Sequence, residues 1–156
     1  MKPLAANLYL LTLAFWTGGM SMFTFIVTPA IFRSYSRDRA GEIVGTLFPG
    51  YFLTLLVLSG LAILFFLLKG GGFQNASSRA SLILLILALA MNCYVFFKLH
   101  PDALRIKQQV VSFEKEAPDS PARSAFRRVH ATSAVLNLLV LADGIALLVL
   151  SRNIPR

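Results

Sequence analysis

Residues 51–68 read YFLTLLVLSGLAILFFLL, a run without one charged side chain. At ~1.5 Å of rise per helical residue, about 20 apolar residues cross the hydrocarbon core of a bilayer. Three more stretches have this character, at about 4–32, 80–99 and 129–150. In hydrocarbon every backbone N–H and C=O must be bonded within its own segment, so each reads as a helix. The expected fold is therefore all-α: a polytopic membrane four-helix bundle, one transmembrane domain over 1–156. Composition agrees. Hydrophobic residues make up 56% and charged residues 14% of the chain, against about 45–50% and about 25% in soluble domains. The first run follows Lys2 as a signal peptide would. It continues to Phe32 without a small-residue cleavage site, and is expected to be a retained span.

The net charge of +8 does not point to nucleic acid, because the cations flank the apolar runs. They suit the headgroups of a lipid bilayer. Ten of the fifteen Lys and Arg residues fall in or beside segments 33–48 and 100–128; the others are Lys2, Lys69, Arg79, Arg152 and Arg156. The excess predicts those two loops to be cytoplasmic and both termini outside, in the plasma (inner) membrane if the source is bacterial. A single cysteine, Cys93, excludes an intramolecular disulfide framework and a cysteine zinc site.

Local signals set the connections. Ser36 is expected to cap a short helix, and Phe48-Pro49-Gly50 to lead into the second span. Gly70 is expected to end that span in the left-handed conformation, and Ser77 or Ser78 to cap the third. The glycines at 70–72 lack the GK[ST] of a phosphate loop. Gly41 and Gly45 are spaced for close helix contact and permit a homo-oligomer. In the segment 100–128, Ala103, Ile106, Val110, Phe113 and Ala117 repeat at heptad spacing. This predicts an amphipathic helix over about 102–117, lying on the membrane or extending the third span, and a docking face for a membrane or cytosolic protein partner. Ser120 and Pro121 read as N-cap and first residue of a helix that starts before the fourth span.

Polar groups inside the spans need partners. Counted from the inner ends of their runs, Thr24, Asn92 and Asn137 sit at similar depth, and an Asn92–Asn137 contact is expected. Such bonds contribute about 0.6 kcal/mol, up to ~2, enough to set register. Thr17, Ser21, Thr24 and Thr28 form a hydroxyl stripe, which either bonds its own helix's carbonyls or walls a polar path. Asp143 is the costliest group, with Asn7, Thr12 and Ser59 as candidate neighbours and no cation inside a span. His130 and His100 lie at the same end and suit interfacial packing, a metal, or haem axial ligation, with Met20 as a further ligand. Met20, Met22, Met91 and Cys93 are soft donors near mid-bilayer. Each pair straddles its helix, so at most one donor per helix can face a shared site. There is no paired-carboxylate cleft, nucleophile elbow or HExxH motif, so the reading leans away from an enzyme.

The stretches FWTGGMSMFTFIVTPAIFRSYSRDRAGEIVGTLFPGYF (15–52), MNCYVFFKLHP (91–101), SFEKE (112–116) and FRRVHATSAVLNL (126–138) together resemble the transmembrane protein 205-like family. The resemblance covers nearly the whole chain in order and includes Met20, Pro49, Tyr51, Asn92, Pro101, Glu114, His130 and Asn137. It implies a small four-helix membrane protein. It also implies one inner-half cluster of Asn92, His130 and Asn137, with Glu114 folding back toward it. Handling of toxic metal compounds has been proposed for that family, whose activity is unsettled.

Three functional readings follow. In the first, a small solute or metal species is bound or translocated by Asn92, His130 and Asn137 with Thr24 and Tyr51. In the second, His130, with His100 or Met20, holds haem or a metal for redox work. In the third, the chain is a structural or assembly subunit that docks a partner through segment 100–128.

Overall fold

The computed structural model describes residues 1–117 and 119–151. Arg152 and Arg156, used in the topology count, and Pro118 lie outside the described residues. Four helices are long and apolar enough to span a membrane: α1 (Lys2–Ser34), α2 (Arg37–Leu68), α3 (Ala76–Lys107) and α4 (Pro121–Ser151). Only 28–33% of each apolar window is buried within the protein itself. Phe15, Phe25, Ile83 and Val149 are among the large side chains left pointing outward. An apolar exterior of that extent belongs in lipid: this is an integral membrane protein. Each helix packs on the next in sequence, and α4 closes back on α1. The result is a square up-down-up-down bundle.

The helices overrun the apolar segments at the end where α1 meets α2 and α3 meets α4. The segment expected to be a loop with its own short helix, 33–48, is mostly the start of α2. Ser36 caps it, accepting from the Arg39 N–H at 3.4 Å. Pro49 does not begin the span but lies inside the helix. It removes one N–H and leaves the Gly45 carbonyl without its usual partner.

Two other prolines are accommodated differently. A proline ring collides with the carbonyl four residues back, here Phe25 for Pro29 and Phe97 for Pro101. At both places the chain widens into a π-helical turn, Phe23–Val27 in α1 and Val95–Leu99 in α3, closed by Thr28 N–H to Phe23 O and His100 N–H to Val95 O. The wider turn carries the helix past the proline without breaking it.

The turn from α2 to α3 follows its glycines. Gly70 adopts φ +95°, as expected, and the Gly70 and Gly71 N–H groups return to Leu67 O and Phe66 O at 2.9 and 2.8 Å. A Cβ on Gly71 would lie 2.5 Å from the Phe66 carbonyl oxygen. The cap of α3 is Asn75, accepting from Ser78 N–H at 2.8 Å, rather than Ser77 or Ser78. Ser78 instead accepts from Gly72 N–H.

The helix expected over 102–117 stops at Lys107. Beyond it the chain forms a strap of turns. The Ser112 hydroxyl draws the Glu114 and Lys115 N–H groups to itself, 3.1 Å each, and donates to Asp38 at 2.6 Å. Asp38 also accepts from Phe113 N–H at 2.6 Å. These local bonds offer the backbone an alternative to helix, and the β-branched pair Val110-Val111 weakens the helix before them. The strap is thereby tied to the start of α2. Ser120 caps α4 as expected, accepting from Arg123 N–H at 3.3 Å.

Packing is uneven along the bundle. The half near the termini is solid, built on fully buried Tyr9, Leu13, Trp16, Phe66, Leu85 and Leu147. Gly144 lets α4 approach α1 there: a Cβ on it would meet Thr17 Cγ2 at 2.7 Å. The half near the strap has a smaller cluster, Phe52, Val95 and Leu99, beside open space.

Candidate functional site: a polar-floored cavity at the strap end

A cavity of about 310 Å³ lies among the strap-end parts of all four helices. It runs into a smaller one of about 140 Å³, with which it shares Thr28, Phe48, Phe52, His130 and Ser133. The π-turns, and the residues that close them, stand at its walls. Phe23, Thr24 and Thr28 come from the first turn, Leu99 and His100 from the second. Thus the widened turns that pass the prolines of α1 and α3 lie beside the cavity in both helices.

The deep end has a polar floor. The Tyr51 hydroxyl donates to Asn137 Oδ1 at 2.6 Å, and Asn137 Nδ2 donates to Thr24 Oγ1 at 2.9 Å. The Phe23 ring stacks on Tyr51, centroids 4.2 Å apart. One asparagine therefore joins α4 to both α1 and α2. Placing Thr24 and Asn137 at equal depth was legible in the sequence, and Tyr51 was expected nearby.

Asn92 does not join this group. The expected Asn92–Asn137 contact is absent: Asn92 is buried and its Nδ2 donates weakly, at 3.5 Å, to Leu55 O. The two asparagines meet α2 one turn apart, at residues 55 and 51. Depth alone missed this because the acceptor is a backbone carbonyl of α2, which no side-chain pattern reports.

The walls are aromatic. The His100 ring lies against Phe52, centroids 5.3 Å apart. The His130 ring stacks on Phe126 at 5.9 Å and 8°, and Phe126 packs on strap residue Phe113 at 5.0 Å. Both histidines line the cavity. Met20 does not: it is fully buried in the solid half, its sulfur accepting from Trp16 Nε1 at 3.0 Å. Met20 is therefore not brought to the two histidines. Among the described residues no three His, Cys, Asp or Glu side chains come together as a metal-holding group.

Glu114 folds back, but to the mouth rather than the inner cluster, accepting from the Arg37 N–H at 3.0 Å. The mouth carries three cations, Arg37, Lys107 and Arg123, expected from the sequence as topology signals and headgroup partners rather than as the lining of a cavity. Lys107 donates to Gly41 O at 2.7 Å, and its nitrogen lies 3.2 Å from where a Gly45 Cβ would be. The glycine pair expected to seat another helix thus seats a lysine. Arg123 donates to Glu116 O on the strap. The missed signal was their position: each lies within a helical overhang beyond the hydrocarbon, where charges can surround a shared opening.

The hydroxyl stripe of α1 divides. Thr17 bonds its own helix at Leu13 O, whereas Thr24 and Thr28 reach the cavity. Asp143 lies far from it, buried in the solid half. Among the described residues both its carboxyl oxygens lack a hydrogen-bond partner, as does Tyr9 Oη. Two expected neighbours, Thr12 and Ser59, bond backbone carbonyls of their own helices instead.

The model of a family described as "Domain of unknown function (DUF4149)" matches residues 11–112, from early α1 into the strap. An uncharacterised protein of Aquifex aeolicus (strain VF5) is 34% identical over 94 residues, covering 60% of this chain and 68% of its own. No solved structure matches. With well over half of its length inside the match, the chain belongs to the DUF4149 family.

Proposed function

We propose that this protein binds a small solute in the strap-end cavity and serves to move it between the cytoplasmic side and the membrane interior. The observation that carries this is the contrast between the two halves of the bundle. One half is closed by tight apolar packing. The other is hollow, and polar side chains from all four helices face the space: Thr24 and Thr28, Tyr51, His100, and His130 with Asn137. Small-molecule sites have this form, mostly apolar walls with a few convergent polar groups. The excess of Lys and Arg in and around the strap end supports placing it on the cytoplasmic side, with both termini outside. The resemblance to the transmembrane protein 205-like family supports kinship with those proteins. The donor set, two imidazoles among phenylalanines, favours a partly apolar solute over a bare metal ion.

The test uses the purified protein and a cavity-filled variant, Ser133→Trp. Unfolding temperatures are recorded against a panel of small anionic, neutral and cationic amphiphiles. A bound solute stabilises the folded state by mass action. At least one class is expected to raise the unfolding temperature of the unmodified protein and not of Ser133→Trp. A panel without effect, or equal shifts in both proteins, contradicts the reading.

A further inference from the structure

We infer that the solute is an anionic amphiphile: a carboxylate or phosphate oxyanion held at the mouth, with an apolar chain running inward between the aromatic walls. The inference rests on the solute-site reading above and assigns its substrate class.

Charge complementarity carries it. Among the described residues the cavity lining includes Arg37, Lys107 and Arg123 and no carboxylate. The ion pairs among the described residues, Arg39–Glu42 and Lys98–Asp102, involve none of the three. Lys107 and Arg123 are steadied by backbone carbonyls, Gly41 O and Glu116 O. A neutral acceptor fixes a cation without cancelling its charge. Lys107 keeps further N–H donors after that bond, and Arg123 keeps most of its fork.

Asp38 and Glu114, the acids beside the mouth, bond to neutral donors and form no ion pair with the three cations among the described residues. Asp38 keeps its charge and is within electrostatic range of Lys115 and Arg123, but its oxygens face the Ser112 hydroxyl and the Phe113 N–H rather than either cation. Glu114 is bonded to the Arg37 N–H. Arginine and lysine presented this way recognise oxyanions through charge-assisted hydrogen bonds.

The other end of the space has the opposite chemistry. Phe48, Phe52 and Leu99 line the path inward, and it ends on the neutral Tyr51–Asn137–Thr24 floor. A free inorganic anion would leave these walls unmatched, and a neutral hydrocarbon would leave the three cations without an anionic partner. A molecule with one oxyanion and one chain satisfies both. It could come from the bilayer, as a phospholipid headgroup with its chain, or from solution, as a single-chain acid.

The full-length protein is placed in phosphatidylcholine nanodiscs and titrated with decanoate, decyl phosphate, decanol and inorganic phosphate, with empty nanodiscs as reference. Decanoate and decyl phosphate are expected to bind saturably. Decanol and inorganic phosphate are expected to bind at least about tenfold more weakly. Arg37→Gln, Lys107→Gln and Arg123→Gln are each expected to weaken decanoate by about tenfold and leave decanol unchanged. Repeating the titration with phosphatidylglycerol in the disc separates the sources: competition assigns a phospholipid, and unchanged binding a single-chain acid.

Decanol binding as tightly as decanoate, or decanoate affinity surviving all three Gln variants, overturns the anionic class while leaving the solute site standing. Inorganic phosphate binding as tightly as decyl phosphate overturns the requirement for a chain. Absence of saturable binding by every probe overturns this inference and the solute site together. If a Gln variant fails to fold, the decanoate–decanol comparison on the unmodified protein decides alone.

Discussion

The Tyr51 hydroxyl meets Asn137 Oδ1 at 2.6 Å between opposite corners of the helical square. Asn137 also holds Thr24 at 2.9 Å, so a single amide fixes three helices at the floor of the cavity. Membrane hydrogen bonds of this kind contribute about 0.6 kcal/mol, up to ~2. Tyr51→Phe and Asn137→Ala are each expected to lower stability on that scale. Their double variant should lose less than the sum, because both remove the same Tyr51–Asn137 bond. Unfolding free energies in detergent form the double-mutant cycle. Strict additivity would show that the bond does not hold the floor.

Gly144 sets the approach of α4 to α1. A Cβ there would stand 2.7 Å from Thr17 Cγ2, so Gly144→Leu must push the helices apart. Overpacking of this sort costs about 1–3 kcal/mol. The smaller Gly144→Ala should be rescued in part by Thr17→Ser, which deletes the opposing methyl. Melting temperatures of the two single variants and the pair provide the measurement. An unchanged Gly144→Leu protein would contradict the close approach.

The strap depends on Asp38. Asp38→Ala removes the acceptors of the Ser112 hydroxyl and the Phe113 N–H. Amide hydrogen exchange at 112–115 should accelerate by about tenfold or more, with the buried amides of α1 through α4 unaffected. Exchange across the strap at the original rate would mean that Asp38 does not anchor it.

Asp143 is buried, and neither oxygen has a hydrogen-bond partner among the described residues. A buried polar group without a hydrogen bond costs free energy, so an apolar residue of similar size in its place removes that cost. Asp143→Leu is therefore expected to fold and to melt at the same or a higher temperature. A large loss of stability would reveal a bond that this arrangement lacks.

Much of the architecture was legible because hydrocarbon leaves the backbone few options. Four apolar runs had to be helices, and Gly70 and Ser120 marked their ends for simple steric and hydrogen-bonding reasons. Part of the site was legible too: Thr24, Tyr51 and Asn137 do meet, and both histidines share one cavity. What escaped the sequence depended on backbone groups that no side-chain pattern reports. Asn92 answers the Leu55 carbonyl rather than another side chain, and Lys107 answers Gly41. The prolines at 29, 49 and 101 were visible, but whether a helix widens, bends or ends at a proline is decided by its neighbours. The strap was misread as helix because its heptad pattern was real while Ser112 and Asp38 offered its backbone better partners.

The most direct test of a solute cavity at the strap end is the chemical accessibility of Ser133, which lines both of its parts. Ser133→Cys is introduced with Cys93→Ala, and a membrane-impermeant maleimide is applied from each side of sealed vesicles, with and without decanoate. Expected is labelling from the strap side alone, slowed when decanoate is present. Labelling only after the membrane is dissolved, or labelling indifferent to every amphiphile, would contradict an open, ligand-accepting cavity.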